Sequence, residues 1–264
     1  MFSNLAKLIR YRGLVQSLVA RELKARYRGS VLGLLWSFIN PLLLLSIYTF
    51  VFTVVLPNRN PIAQPYAVFM FCGILPWTWF SASLTEASGS LVSGGNLIKK
   101  VLFPAEILPI VNVLANMVHF FLGLLILIAS LIYYHRWPDP AGLLWFPVAV
   151  VIQLVFTTGL ALFLSALTVH YRDIRDLLSN ILMFWFFATP IIYPWQDENV
   201  RIYKWLFNLN PFTHLAVSYQ EILFFDGPVG HAKWLLALGV LSVVVFLCGY
   251  WFFDRLRDSF AEAV

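Results

Sequence analysis

Of the 264 residues, 60% are hydrophobic and only 12% are charged, with a mean hydropathy of +0.79 and a net charge of +5. A soluble domain carries about 25% charged residues, so this composition excludes an ordinary soluble globule. The charge that remains is confined to short segments between apolar runs too long for the core of a soluble fold.

Taken in chain order, residues 5–28 place Leu8, Tyr11, Val15, Leu18 and Val19 at three- and four-residue spacing among Lys7, Arg10, Arg21, Lys24 and Arg28. This pattern predicts an amphipathic helix lying in the membrane interface beside anionic lipid. The same segment lacks the short apolar core and A-x-A site of a cleaved secretory signal. Crossing the hydrocarbon as a helix takes roughly 20 apolar residues, and candidate spans follow at about 30–56, 66–91, 105–134, 142–168, 177–193 and 232–253. Segment 194–231 is ambiguous, because its apolar stretch is interrupted by Asn210, Pro211, His214 and Glu221. Counting it as a seventh span reverses the positive-inside rule. A re-entrant or interfacial helical hairpin on the outer face is therefore expected, since irregular backbone is tolerated at membrane depth when packed against protein.

With the amino terminus inside, the inner segments carry Lys7, Arg10, Arg12, Arg21, Lys24, Arg26, Arg28, Lys99, Lys100, Arg172, Arg175, Arg255 and Arg257, which are 13 of the 18 basic residues. The remaining five, Arg59, Arg136, Arg201, Lys204 and Lys233, lie outside. Both termini are thus expected in the cytoplasm, and the positive charge follows topology rather than nucleic-acid binding. The sequence reads as one all-α membrane domain over 1–264 with six transmembrane helices. Cys72 and Cys248 fall inside apolar runs and are expected to be small buried hydrophobes, not a disulfide or a metal site.

The chemistry is marked by what is missing. No G-x-x-x-x-G-K-[ST] phosphate loop is present, so ATP is not bound by that route. No H-E-x-x-H or G-x-S-x-G motif occurs and the five histidines are scattered, so neither catalytic nor metal-ligating residues are assigned. The middles of the six spans hold no Asp, Glu, Lys or Arg, whereas ion-coupled carriers keep such costly groups there for function. Energy is therefore expected from another subunit, delivered through short charged segments joined to spans, Asn96–Pro104 and Tyr171–Asp176. Aromatic residues concentrate in the first span (Trp36, Phe38, Tyr48) and in or just after the fifth (Phe184, Trp185, Phe187, Tyr193, Trp195). Their flat apolar faces suit sugar rings, and lipid contact is the competing reading.

The ordered set Arg26-Tyr27-Arg28-Gly29-Ser30, Leu32-Gly33, Trp36, Asn40-Pro41, Asn96-Leu97-Ile98-Lys99-Lys100, Phe103-Pro104, Tyr171-Arg172-Asp173-Ile174, Pro190-Ile191-Ile192-Tyr193 and Asn210-Pro211 resembles the permease subunits of type-2 ABC exporters for polysaccharides (O-antigen, capsule and wall teichoic acid). The resemblance implies a homodimer in the bacterial inner membrane with two copies of a cytoplasmic ABC ATPase beneath it. ATP and magnesium belong to that partner, and no cofactor is implied on this chain. The implied cargo is a polysaccharide on undecaprenyl diphosphate; the sequence does not distinguish O-antigen, capsule and teichoic acid. By position, the resemblance makes Trp36, Phe38, Tyr48, Trp185, Phe187 and Tyr193 candidates for the channel lining. It makes Lys99, Lys100 and Phe103 candidates for ATPase coupling, and Arg26 and Arg28 candidates for attracting the lipid diphosphate. The alternative on the same architecture is a permease for small lipophilic drugs or lipids.

Overall fold

Within hydrocarbon every backbone N–H and C=O must find a partner inside the protein, which forces long apolar runs into helices. The computed structural model describes residues 11–55, 63–99, 103–197, 202–225 and 229–263, and its elements are all helical. They are α1 (Arg12–Arg26), α2 (Trp36–Phe50, extended by a π turn over Val51–Val55), α3 (Tyr66–Ser88), the short α4 (Ser90–Ser93) and α5 (Gly95–Ile98), and α6 (Ile107–Tyr133). There follow α7 (Pro140–Leu143), α8 (Trp145–His170), α9 (Ile174–Phe187), α10 (Lys204–Asn208), α11 (Pro211–Leu223) and α12 (Ala232–Ala263). Among the described residues five stretches are long and apolar enough to cross a membrane: Trp36–Val55, Tyr66–Ser88, Ile107–Tyr133, Pro140–His170 and Ala232–Phe260.

The core is built around α3, which touches α2, α6, α8, α9 and α11. Within its apolar stretch 83% of positions are buried, against none in that of α2. Pro76 sits inside α3 and removes one backbone donor. The Pro76 carbonyl is taken by Gln153 of α8, whose buried Nε2 donates across 2.8 Å. On the next turn the Trp79 indole Nε1–H donates to the Val113 carbonyl of α6 at 3.1 Å. Two buried polar side chains thus fix the rotation of α3 against its neighbours, and Phe80 stacks on Phe156 of α8 with ring centroids 6.0 Å apart.

The predicted fifth span over 177–193 is shorter than expected. The α9 helix ends at Phe187 after 14 residues, about 21 Å at 1.5 Å per residue, against a hydrocarbon core of about 30 Å. Pro190 has no N–H to continue the helix. The chain ahead of it is captured instead by Asn210, whose Nδ2 donates to the Ala188 carbonyl at 3.0 Å and to Thr189 Oγ1 at 2.9 Å. The long apolar helices among the described residues therefore number five. In segment 194–231, α11 is an internal helix buried from Phe212 to Gln220. It lies against α3, α7, α8 and α12. The apolar stripe of α1 also meets protein: Leu14, Val15, Leu18 and Val19 pack on Ile107 and Val111 of α6. The first part of the predicted interfacial helix, with Lys7, Leu8 and Arg10, lies outside the described residues. Cys72 is buried as expected, whereas Cys248 is exposed on α12.

The closest helix crossing is that of α8 and α12. A Cβ at Gly249 would lie 2.1 Å from the Gly159 carbonyl oxygen, and one at Gly159 would lie 2.6 Å from the Phe246 Cα. Small residues let membrane helices approach to backbone contact, and here both sides of the crossing need glycine. Gly249→Val is expected to destabilise the fold by at least the roughly 1–3 kcal/mol typical of overpacking. Gly239→Ala, which would meet only the flexible end of Ile152 at 3.2 Å, is expected to be tolerated. Thermal midpoints of the detergent-purified variants distinguish the two.

Candidate functional site

Thr78, Ser81 and Thr85 recur at three- and four-residue spacing on α3, so they share one helix face. Thr78 is exposed, and Ser81 and Thr85 are half-buried, as are Ala82 and Glu86 on the same side, on a helix whose other faces are covered by protein. Two hollows flank this hydroxyl stripe. On the α2 side, Leu75, Thr78 and Trp79 join Trp36, Asn40, Pro41 and Leu44 of α2 and Asn116, His119 and Phe120 of α6 around a cavity of about 610 Å³, with Arg26 and Tyr27 among its lining. On the α9 side, Trp77, Ser81 and Thr85 with Ser179, Leu182, Met183 and Phe186 line a shallower hollow of about 320 Å³. The Thr78 and Thr85 hydroxyls donate to the Ile74 and Ser81 carbonyls at 2.8 and 2.9 Å. Their protons are thereby committed within the helix, while each oxygen keeps a lone pair to accept from a ligand hydroxyl.

The sequence-predicted aromatics divide between this face and the packing behind it. Of the six lining candidates Phe187 is the most open, at 56% exposed, and it continues an exposed α9 surface made by Ile181, Met183 and Phe184. Trp36 lines the larger cavity, its indole donating to Ser30 Oγ at 3.1 Å. Phe38 is half-buried on α2. Tyr48 is half-buried against the core beside Phe52, with centroids 6.3 Å apart. Trp185 turns inward, edge-on to Phe80 at 5.2 Å, and its Nε1–H donates to Asn210 Oδ1 at 2.7 Å. The Tyr193 hydroxyl donates back to the Phe187 carbonyl at 3.0 Å, and its ring packs beside Phe207.

Asn210 is a polar keystone that its place in a turn-like Asn-Pro pair did not reveal. Besides the contacts to Trp185, Ala188 and Thr189, its Oδ1 accepts from the Phe212 N–H at 3.0 Å and so caps α11. At the same end Glu221 accepts from the His231 backbone N–H at 2.8 Å and lies 3.4 Å from His231 Nδ1. His214 stacks on Trp234 with centroids 4.8 Å apart. Burial pushes the His214 ring below the ordinary histidine range, and the neighbouring His231 adds to this.

At the opposite end, Arg26 donates to Glu86 Oε2 at 2.6 Å and to Asn116 Oδ1 at 3.1 Å, and Asn116 Nδ2 donates to the same Glu86 oxygen at 2.6 Å. Arg26 is thus already engaged, whereas Arg28 is exposed. The α4–α5 step is tight, since a Cβ at Gly94 would lie 2.5 Å from Leu108 Cδ1 and 2.9 Å from the Ser90 carbonyl. Lys99 is exposed at its end, and Phe103 is half-buried between the cluster under α1 and the cluster under the end of α12. Lys100 lies outside the described residues.

Asn210→Ala is expected to cost about 2–4 kcal/mol, from a lost helix cap and an orphaned indole together. Trp185→Phe, which keeps an aromatic ring but loses the indole N–H and the second ring's volume, is expected to cost about 1–3 kcal/mol; thermal melts give both values. Because the folded His214 holds its proton less tightly than an unfolded histidine, the unfolded chain binds more protons as acid is added. Stability is therefore expected to fall as pH drops below about 6.5. His214→Gln is expected to flatten that part of a melting-temperature profile taken from pH 8 to pH 5.

Residues 13–224 match the family model described as ABC-2 type transporter. The chain is 42% identical to the O-antigen export system permease protein RfbA of Myxococcus xanthus across the full length of both. Two proteins of the same name from Klebsiella pneumoniae are 32% and 31% identical over 92% of this chain and 91% of each relative. The helical membrane architecture and these matches agree: the chain belongs to the ABC-2 transporter membrane family.

Proposed function

We propose that this chain is the channel-forming permease subunit of an ATP-driven exporter that moves polysaccharide linked to undecaprenyl diphosphate across the bacterial inner membrane. The observation that carries this reading is the full-length match, at 42% identity, to an O-antigen export permease. In this reading two copies face each other through α2, α3 and α9. None of the apolar stretch of α2 is buried in a single chain, and α9 buries only Leu178 and Leu182. A second copy would cover Leu43, Ile47 and Phe50 on α2 and Met183 and Phe184 on α9, which are at least half exposed. Six crossings result when α9 and the turns after it complete the fifth. The α10–α11 hairpin then re-enters from the outer side, both termini are cytoplasmic, and the amino-terminal helix rests in the inner interface.

The chemistry suits a sliding polymer. Exposed aromatic rings such as Phe187 offer flat contacts to sugar C–H faces, and the hydroxyl oxygens of Thr78, Ser81 and Thr85 accept hydrogen bonds from sugar hydroxyls. Each contact is weak and replaceable, as conduction requires. Arg28 supplies an exposed cation for the diphosphate, while Arg26 is held by Glu86. Two copies of an ABC ATPase, which bind ATP and magnesium, act on the α4–α5 end through Lys99, Lys100 and Phe103.

Phe187→Ala removes an exposed ring that contributes little to the fold. It is expected to lower surface polysaccharide several-fold in a cell that depends on this permease, while the complex still assembles with its ATPase. Unchanged export would remove the α9 face from the path. The chain purified alone is expected to hydrolyse no ATP, and hydrolysis without a partner would overturn the two-subunit reading.

A further inference from the structure

The α12 helix has 32 residues, about 48 Å at 1.5 Å per residue, which exceeds a hydrocarbon core of about 30 Å. Its last turns carry Asp254, Arg255, Arg257 and Asp258 after a long apolar run. This charged tip is not left in solvent. Tyr250, Phe253 and Phe260 are fully buried at spacings that put them on one side of the helix. They close a cluster with Leu91 of α4, Ala105 and Leu108 at the start of α6, and Ala166 and Val169 at the end of α8. The tip also touches α5.

Polar contacts on the same tip reach two different chain connections. Arg257 Nη2 lies 3.1 Å from Glu106 Oε1, in the residue that opens α6, and 3.3 Å from Asp254 on its own helix. Ser259 Oγ lies 3.2 Å from Nε2 of His170, the last residue of α8. One helix tip therefore grips both the α3–α6 connection, which contains α4 and α5, and the α8–α9 connection.

The Glu106 side chain is only 3% exposed, and a carboxylate so placed depends on its cation. Its Oε2 has no hydrogen-bond partner among the described residues, and the Arg257 Nη2 that faces Oε1 meets it as an ion pair without hydrogen-bond alignment. A pair without aligned hydrogen bonds fixes proximity more than one orientation. Arg257, shared between two carboxylates, can stay on Asp254 while Glu106 moves with α6.

We infer that the tip of α12 is a strut that ties the two connections into one moving unit. Arg257, acting through Glu106, is a positioning residue for coupling ATP hydrolysis to transport. This rests on the proposed docking of an ATPase at the α4–α5 end. A push on α5 then reaches α6 directly, and reaches α8 and α9 through the α12 tip, so that helices on both sides of the hydroxyl stripe move together.

The test uses the permease–ATPase complex in membrane vesicles, with polysaccharide exported per ATP hydrolysed as the readout. Glu106→Gln and Arg257→Gln are each expected to lower this ratio by roughly an order of magnitude, within the usual range of coupling energies, while assembly and hydrolysis persist. The double variant is expected to be no worse than either single, because both remove one contact. Arg257→Lys, which keeps the charge, is expected to recover most of the ratio. Ser259→Ala, a mild change at a partly exposed position, is expected to lower it about twofold and covers the case in which the glutamine variants fail to fold. A wild-type ratio in assembled Glu106→Gln, Arg257→Gln and Ser259→Ala complexes would overturn the strut, as would losses that multiply in the double variant. A wild-type complex that hydrolyses no ATP would overturn the functional reading instead.

Discussion

Because α3 is wrapped by five other helices, its side chains decide where those helices go. Trp77 and Phe80 meet Trp185 and Phe186 of α9 and Phe212 of α11. Trp79 meets Phe120 of α6, and Phe80 meets Phe156 of α8. Lipid offers no hydrophobic drive for helices to associate, so close packing and buried hydrogen bonds do this work. The bonds from Gln153 and Trp79 then fix α3 in rotation. One of its faces escapes full burial, and that face carries Thr78, Ser81 and Thr85 together with Ala82 and Glu86. The candidate path is the one side of the central helix that a single chain leaves uncovered.

The two ends of the molecule differ in their chemistry. At the α11 end, aromatic rings and buried polar groups dominate, with Asn210 joining α9 to α11 and Glu221 joining α11 to the start of α12. At the α4–α5 end, ion pairs join segments distant in sequence: Arg26 to Glu86 and Arg257 to Glu106. The first arrangement favours a fixed frame. In the second, the half-exposed Arg26–Glu86 pair costs little to exchange, whereas the buried Glu106 holds Arg257 in place. This polarity is what a transporter driven from one side requires.

Much of this was legible in the sequence, for identifiable reasons. Five of the six predicted spans are long helices because apolar length alone decides helix formation in hydrocarbon. The family resemblance followed from ordered polar and aromatic landmarks spread over the whole chain. The end of α9 was only half legible: Pro190 marks a break locally, but the turn ahead of it is held by Asn210, which reaches back over 20 residues to Ala188 and Thr189. The depth of α11 was hidden in the same way, since His214 and Glu221 look like surface residues until Trp234 and His231 are placed beside them. Arg26 read as a free cation because Glu86 is 60 residues away. The hydroxyl stripe was available as Ser and Thr at helical spacing in an apolar span, a signal weaker than the aromatics that drew attention first.

The claim that transport runs along the α3 stripe is tested most directly by the solvent accessibility of one residue during export. In a Cys248→Ser background, which leaves only the buried Cys72, Ser81→Cys is treated with a membrane-impermeant thiol reagent while the complex is supplied with ATP. Val151→Cys, at an exposed position on α8, serves as the lipid-facing control. The expected result is reaction at position 81 that is faster with ATP and that blocks polysaccharide export, with no reaction at 151. A position 81 that stays unmodified while polysaccharide continues to leave the cell would contradict it.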